Sequence, residues 1–338
     1  MDLKTLTDLN GVSGNEKTVR KAIFEAALPL CDRVEYDGMG NVVAYKKGKD
    51  RAAHPGIIIA AHMDEVGFII TSATADGLLR FTCVGGIDPR VIVSKRVLVG
   101  DSRIPGVIGA TAIHLQTPED RKRVLKYAGL YIDIGAKTKE EAAEACPQGS
   151  YAVFDTPYIV FGDGFVSAKA LDDRIGCLTM LESMKTSYAP DITYLFTAEE
   201  EVGLRGALGG AYASDAEIAV VLEGTTCNDL GDVPDTQKVC RAGSGVAISF
   251  MDRSSIVYWP LYKRMIDLAE EKAIPYQIKN ASTGGNDAGA LQRKAKSRKT
   301  VVLSVPCRYI HGPSSCVKYA DILTQQALLD AFLNDPKV

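Results

Sequence analysis

Apolar residues spaced three or four apart, Val19, Ile23, Ala26 and Leu30, predict helix across residues 2–30. Residues 33–47 then alternate apolar and polar around Asp37-Gly38-Met39-Gly40-Asn41, which reads as a hairpin-like turn. The run Gly56-Ile57-Ile58-Ile59-Ala60-Ala61 does not alternate and is rich in β-branched side chains. Such a run suits a strand buried on both faces.

The pattern changes after Asp64. From Gly67 to about Val160 come short strand-like segments separated by turns, among them Phe68-Ile69-Ile70-Thr71, Leu78-Leu79-Arg80-Phe81-Thr82, Val97-Leu98-Val99 and Ile104-Pro105-Gly106-Val107-Ile108-Gly109. Within this third only residues 138–146 read as helix. Helix and strand alternate again from Asp163. Helices are predicted over 173–184, 203–214, 258–272 and 319–333, and strands over 192–197, 217–222 and 300–305. Ile175, Leu178, Leu181 and Met184 form one stripe of the first of these helices. The order predicts an α/β sheet domain, residues 1–66 and 161–338, interrupted by a small inserted β domain, residues 67–160.

Composition agrees with two unequal domains, because 338 residues exceed the size at which one core usually stops growing. A net charge of -3 gives no electrostatic basis for binding nucleic acid or an anionic membrane. No apolar run approaches the roughly 18 residues of a membrane span, and the first residues lack a signal-peptide core, so the expected address is the cytoplasm. The eight cysteines contain no Cys-x-x-Cys pair, which speaks against a thiolate zinc site or a compact disulfide framework. Most read as buried small hydrophobes, with Cys227, Cys307 and Cys316 near the candidate site in sequence.

Most of the candidate chemistry sits where an apolar run ends. Five stretches stand out: Ala61-His62-Met63-Asp64-Glu65, Leu171-Asp172-Asp173-Arg174, Glu199-Glu200-Glu201-Val202-Gly203, Leu222-Glu223-Gly224 and Arg308-Tyr309-Ile310-His311. Each offers carboxylate or imidazole, and they hold two of the chain's four histidines. Taken singly, each has a plain explanation. His62 can pair with a local acid, Asp172-Asp173 can cap a helix, the glutamate triplet can be a solvated loop, Glu223 can form a salt bridge and His311 can be a satisfied core histidine. Taken together they supply what a pair of divalent cations needs, with a carboxylate left to move a proton. His62 and Asp64, two apart in extended chain, point the same way, so one can bind a metal while the other accepts the imidazole's remaining N–H. A donor set of His and carboxylate without Cys suits zinc, cobalt or manganese. The reading is a two-metal hydrolase.

These stretches resemble the signatures of a known family of dinuclear metallo-aminopeptidases, the tetrahedral, glutamyl and deblocking aminopeptidases. Ala60-Ala61-His62-Met63-Asp64-Glu65-Val66-Gly67, Ala170-Leu171-Asp172-Asp173-Arg174, Glu200-Glu201-Val202-Gly203-Leu204-Arg205-Gly206-Ala207 and Arg308-Tyr309-Ile310-His311 carry the likeness, and Thr283-Gly284-Gly285-Asn286-Asp287-Ala288 resembles a further block. The resemblance spans nearly the whole chain. It implies a mixed-sheet metallopeptidase catalytic domain with an inserted, β-barrel-like dimerisation domain. It implies two divalent metal ions per subunit, zinc ahead of cobalt or manganese. One would be held by His62, Asp172 and Glu223, the other by Asp172, Glu201 and His311, with Asp172 bridging. It implies Glu200 as general base and Asp64 as the residue orienting His62. Many members carry Asp where this chain has Glu223, one methylene longer. The insertion between Asp64 and Asp172 separates this family from related carboxypeptidases and deacylases, whose extra domain falls between the Glu-Glu pair and the last His. The implied partners are peptide substrates and further copies of the chain, as dimers that can build a hollow dodecamer.

The expected reaction is therefore removal of N-terminal residues from peptides. An amidase, deacylase or carboxypeptidase could use the same metals. A glycosidase could use paired carboxylates but leaves His62 and His311 without a role. A catalytically dead scaffold is the remaining alternative, and the full ligand set argues against it.

Overall fold

The computed structural model describes residues 1–280 and 284–337. A large mixed sheet runs in the order Arg33–Tyr36, Val42–Lys46, Ile192–Thr197, Ile57–His62, Ile218–Thr226, Lys299–Arg308, Ser315–Lys318, Phe165–Ala168, Ile159–Phe161. Val246–Ser249 pairs antiparallel with Lys299–Arg308, and Tyr276–Ile278 lies beyond it. The four central strands, Ile192–Thr197, Ile57–His62, Ile218–Thr226 and Lys299–Arg308, are mutually parallel. Their C-terminal ends therefore share one edge.

The central strand Ile57–His62 is buried along its whole length, as its unbroken apolar run predicts. Period-two alternation divides it between two cores. Ile57, Ile59 and Ala61 pack under the longer helices Lys17–Ala27, Leu171–Ser183, Trp259–Glu271 and Tyr319–Asn334. Ile58 and Ala60 pack with Ala219, Val221, Ala288 and Leu291, on the side of the short helices Arg205–Gly210 and Ala288–Arg293.

The inserted segment closes into a six-stranded antiparallel barrel in the order Gly67–Ala73, Leu79–Val84, Leu130–Asp133, Ile104–Ala110, Arg96–Val99, Tyr151–Phe154. It has its own core, centred on Phe68 with Phe81 and Phe154 edge-on to its ring. The one predicted helix appears as Lys139–Ala145, capped by Thr138 Oγ1 accepting from Glu141 N at 3.2 Å. Ile159–Phe161 hydrogen-bonds to Phe165–Ala168 in the large sheet, so the barrel's strands end at Phe154.

Entry and exit of the insertion are clasped together. Lys169 Nζ lies 2.8 Å from Glu65 Oε1, and Arg174 Nη2 lies 3.3 Å from the same oxygen. All three side chains are buried, and their mutual pairing is what makes burying them tolerable. Burial pushes the Lys169 ammonium down to about 8, against the pull of Glu65.

Helix across residues 2–30 is corrected. Two helices form, Leu3–Asp8 and Lys17–Ala27, with Val19, Ile23 and Ala27 as the buried stripe. Between them Val12 bridges to Glu65, and Ser13 N donates to Glu65 O at 3.2 Å while Glu65 N donates to Gly11 O at 2.9 Å. The intervening segment satisfies backbone leaving the central strand, and that tertiary demand overrides the helical stripe. Helix 203–214 shrinks to Arg205–Gly210, as three glycines in six residues would favour. Strand 217–222 extends to Thr226, so Glu223 lies within the strand rather than past its end. Among the described residues no helix is long and apolar enough to cross a membrane, and all eight cysteines are free.

Candidate functional site

The shared edge of the parallel strands gathers the chemistry. His62 is the last residue of its strand, and its parity places it on the face of Ile58 and Ala60. By the same parity Glu223 joins Ala219 and Val221 on that face. After Ile192–Thr197 the chain turns through the glutamate triplet. Glu199 pairs with Arg205 at 2.9 Å, whereas Glu200 and Glu201 donate their backbone N–H groups to Asp64 Oδ1 (3.0 Å) and Oδ2 (3.1 Å). Ser13 Oγ donates to Asp64 Oδ2 at 2.7 Å. Asp64 thus pins the acidic turn against the end of the central strand.

Asp172 and Asp173 part company. Asp173 Oδ1 accepts from Gly176 N at 3.0 Å and supplies the cap of the following helix. Asp172 does not cap. Its Oδ1 lies 3.5 Å from His62 Nε2 and its Oδ2 lies 3.5 Å from His311 Nε2. Gly224 N donates to Oδ1 at 3.2 Å, and a Cβ on Gly224 would sit 2.8 Å from that oxygen, so only glycine lets the strand come this close.

Both imidazoles spend Nδ1 on a backbone carbonyl, which leaves Nε2 facing the carboxylates. His62 Nδ1 donates to Asp64 O at 3.2 Å, with Asp64 Oδ1 at 3.5 Å, and His311 Nδ1 donates to Gly86 O at 3.0 Å. Glu223 Oε2 is 3.8 Å from His62 Nε2, and Glu201 Oε1 is 3.1 Å from His311 Nε2. Two sets present ligand atoms within 4.8 Å of one another, His62 with Asp173 and Glu223, and His62 with Asp172 and Glu201. Either set could hold a metal ion. Asp173 thereby enters a set that the resemblance assigns to Asp172.

Electrostatically the cluster is crowded. Burial pushes the carboxyls of Glu200, Glu223 and Asp173 well above the usual carboxylate range, and neighbouring carboxylates add to it. Burial lifts Asp287 to about 6. Burial opposes charge on Asp172 and Asp64 too, but hydrogen bonds from the imidazoles hold both below their ordinary values. The rings respond in kind: despite burial, Asp172 and Asp64 keep His62 well above its usual value, and Asp172 and Glu201 hold His311 up at about 11. Among the described residues, Glu223 Oε1 and Asp173 Oδ2 are buried without a hydrogen-bond partner. Orphaned, mutually repelling oxygens beside two imidazoles fit divalent cations, which would neutralise them.

The cluster floors a cavity of about 460 Å³, with Glu200 and Leu204 on one wall and Lys279, Asn286 and Ile310 among its other lining residues. Lys279 is 7% exposed and has no carboxylate oxygen within 4.0 Å among the described residues.

The structure therefore brings together His62, Asp64, Asp172, Glu200, Glu201, Glu223 and His311. Sequence reading missed Ser13, Asp173 as a possible donor, Gly86 and Lys279. Only Asp173 carried a local signal, its place beside Asp172. In the further block resembling the family, Thr283 lies outside the described residues, while Asn286 lines the cavity and Asp287 lies buried against Thr197.

Comparison with known proteins places this geometry in a lineage. Residues 40–328 match the sequence model of the M42 glutamyl aminopeptidase family. The chain is 30% identical over 354 residues to the glutamyl aminopeptidase of Lactococcus lactis, covering 99% of this chain and 97% of that protein. The crystal structure of a TET aminopeptidase from the marine sediment archaeon Thaumarchaeota archaeon SCGC AB-539-E09 superimposes with a TM-score of 0.94 at 32% identity, covering 99% of this chain and 96% of the other. The Pyrococcus horikoshii TET1 peptidase, described as able to assemble into a tetrahedron or a large octahedral shell, gives a TM-score of 0.87 at 34% identity over 98% of both chains. With a barrel inserted into a mixed α/β sheet and matches of this extent, the chain belongs to the M42 glutamyl aminopeptidase family.

Proposed function

We propose that the chain is a dinuclear metal-dependent aminopeptidase that removes residues from the N-termini of peptides. One observation carries the reading: the two oxygens of Asp172 face the Nε2 atoms of two imidazoles, each flanked by a further carboxylate, at the floor of an open cavity. His62, Asp172 and Glu223 would hold one cation, and Asp172, Glu201 and His311 the other, with zinc, cobalt or manganese suited to these donors. Bound there, such a pair supplies an acidified water and polarises the scissile carbonyl. Asp64 holds His62 and the acidic turn in place. Glu200, on the cavity wall, takes the proton of the attacking water and returns it to the leaving amine. A free α-amine of the substrate held beside the second cation would limit cleavage to the first residue. The imidazoles inside the cluster count against a glycosidase.

Peptide ladders read by mass spectrometry test the exopeptidase assignment. Peptides with a free α-amine should shorten one residue at a time from the N-terminus, and N-acetylated versions far more slowly. Lys279 favours a first residue bearing a carboxylate, so peptides beginning with Glu should be trimmed faster than those beginning with Lys. Loss of C-terminal residues, or equal cleavage of free and acetylated peptides, would move the protein to the carboxypeptidase or amidase alternatives.

The inserted segment, residues 67–160, serves assembly in this reading, joining copies into dimers and dimers into a dodecamer. Support comes from the shells named for the similar TET1 peptidase and from apolar side chains the barrel leaves exposed, Ile113 (69%), Leu115 (71%) and Val124 (64%). Sizing with light scattering at micromolar concentration should return a multiple of the 36.3 kDa chain. A monomer would remove the assembly role.

A further inference from the structure

The barrel also reaches the chemistry. Past its strand Leu79–Val84 the chain turns at Gly85-Gly86, and the Gly86 carbonyl accepts from His311 Nδ1 at 3.0 Å. Gly85 has a φ of +80°, and a Cβ there would meet Val66 Cγ1 at 2.7 Å and Glu201 Cβ at 3.4 Å. The turn is anchored on the barrel side by the Tyr127 hydroxyl, which donates to the Ile87 carbonyl. It therefore touches His311 and Glu201 together. Among the described residues the barrel makes no hydrogen bond to His62, Asp172 or Glu223.

We propose that the Gly85-Gly86 turn is a positioning element for one half of the cluster. Resting on the two-cation reading above, the inserted barrel sets the affinity of the cation held by Asp172, Glu201 and His311, and leaves the one held by His62, Asp172 and Glu223 alone. The physical cause is the orientation of the His311 ring. With Nδ1–H given to a fixed carbonyl, Nε2 is aimed without rotamer search, and removing such a partner costs roughly 10–100-fold in metal affinity.

Zinc titration of chelator-stripped protein against a chromophoric competitor tests this, because it yields two stepwise dissociation constants without any assay of turnover. In Gly85→Ala the new Cβ displaces the turn, and one constant should weaken by about 10–100-fold while the other stays within about threefold. If Gly85→Ala does not fold, Tyr127→Phe loosens the same turn from its barrel side and should weaken the same single constant. Both constants moving together, or neither moving, overturns the proposal. Wild-type protein that binds fewer than two zinc ions overturns the two-cation reading, and this inference with it.

Discussion

Glu200→Gln protein is expected to keep its metal and lose turnover by roughly 10²–10⁴-fold, the usual worth of general acid–base catalysis. The substitution is nearly isosteric, and the backbone N–H by which residue 200 holds Asp64 remains. The side chain is half-buried on the cavity wall, and desolvation together with Asp287, Glu201 and Asp64 pushes its carboxyl well above the usual range. A carboxyl raised in this way takes up a proton nearer neutral pH, as a base working on water requires. Metal content by atomic absorption and kcat on an aminoacyl-para-nitroanilide separate the outcomes. Near-normal kcat would remove Glu200 as the base. Lost metal would make it a ligand.

Asp172→Asn should be worse. Its two oxygens face two imidazoles, so one substitution disturbs both halves of the cluster. The amide keeps the volume and one acceptor, but it loses a full negative charge and puts an NH₂ where one Nε2 points. Loss of at least one cation per chain and a fall in kcat/KM on the order of 10³-fold or more are expected, because several kcal/mol of transition-state stabilisation go with the ion. The matching Asp173→Asn variant lets the geometry choose between the two neighbours. If it loses metal and Asp172→Asn does not, the assignment of the ligand passes to Asp173, whose Oδ2 is buried without a partner among the described residues.

Much of this site was legible because parallel strands turn a one-dimensional pattern into a place. Apolar runs ending in His62, in the glutamate triplet and shortly before His311 belong to strands that all point the same way, so recognising three strand ends amounts to recognising one edge. Glu223 was found for a related reason, a carboxylate closing an apolar run that burial alone would not tolerate. What stayed hidden depended on chain meeting distant chain. The break after Asp8 is set by Glu65, the His311 ring by Gly86 and the cavity wall by Lys279. None of these has a local periodicity to read. Val246–Ser249, Tyr276–Ile278 and Ser315–Lys318, of three or four residues each, went unseen as well.

The site draws its first contributor from residue 62 and its last from residue 311, with a complete barrel between them. On a ribosome that order becomes a timetable. The barrel's strands and its core have all emerged by Phe154, and the barrel can close while the sheet still lacks Ile192–Thr197, Ile218–Thr226 and Lys299–Arg308. Glu65 waits for Lys169 and Arg174, and His311 comes in the turn after Lys299–Arg308. If the barrels join copies as proposed above, newly made chains would begin to associate before any of them can cut. The site is completed only when His311 follows the strand Lys299–Arg308, long after the barrel has its full set of strands.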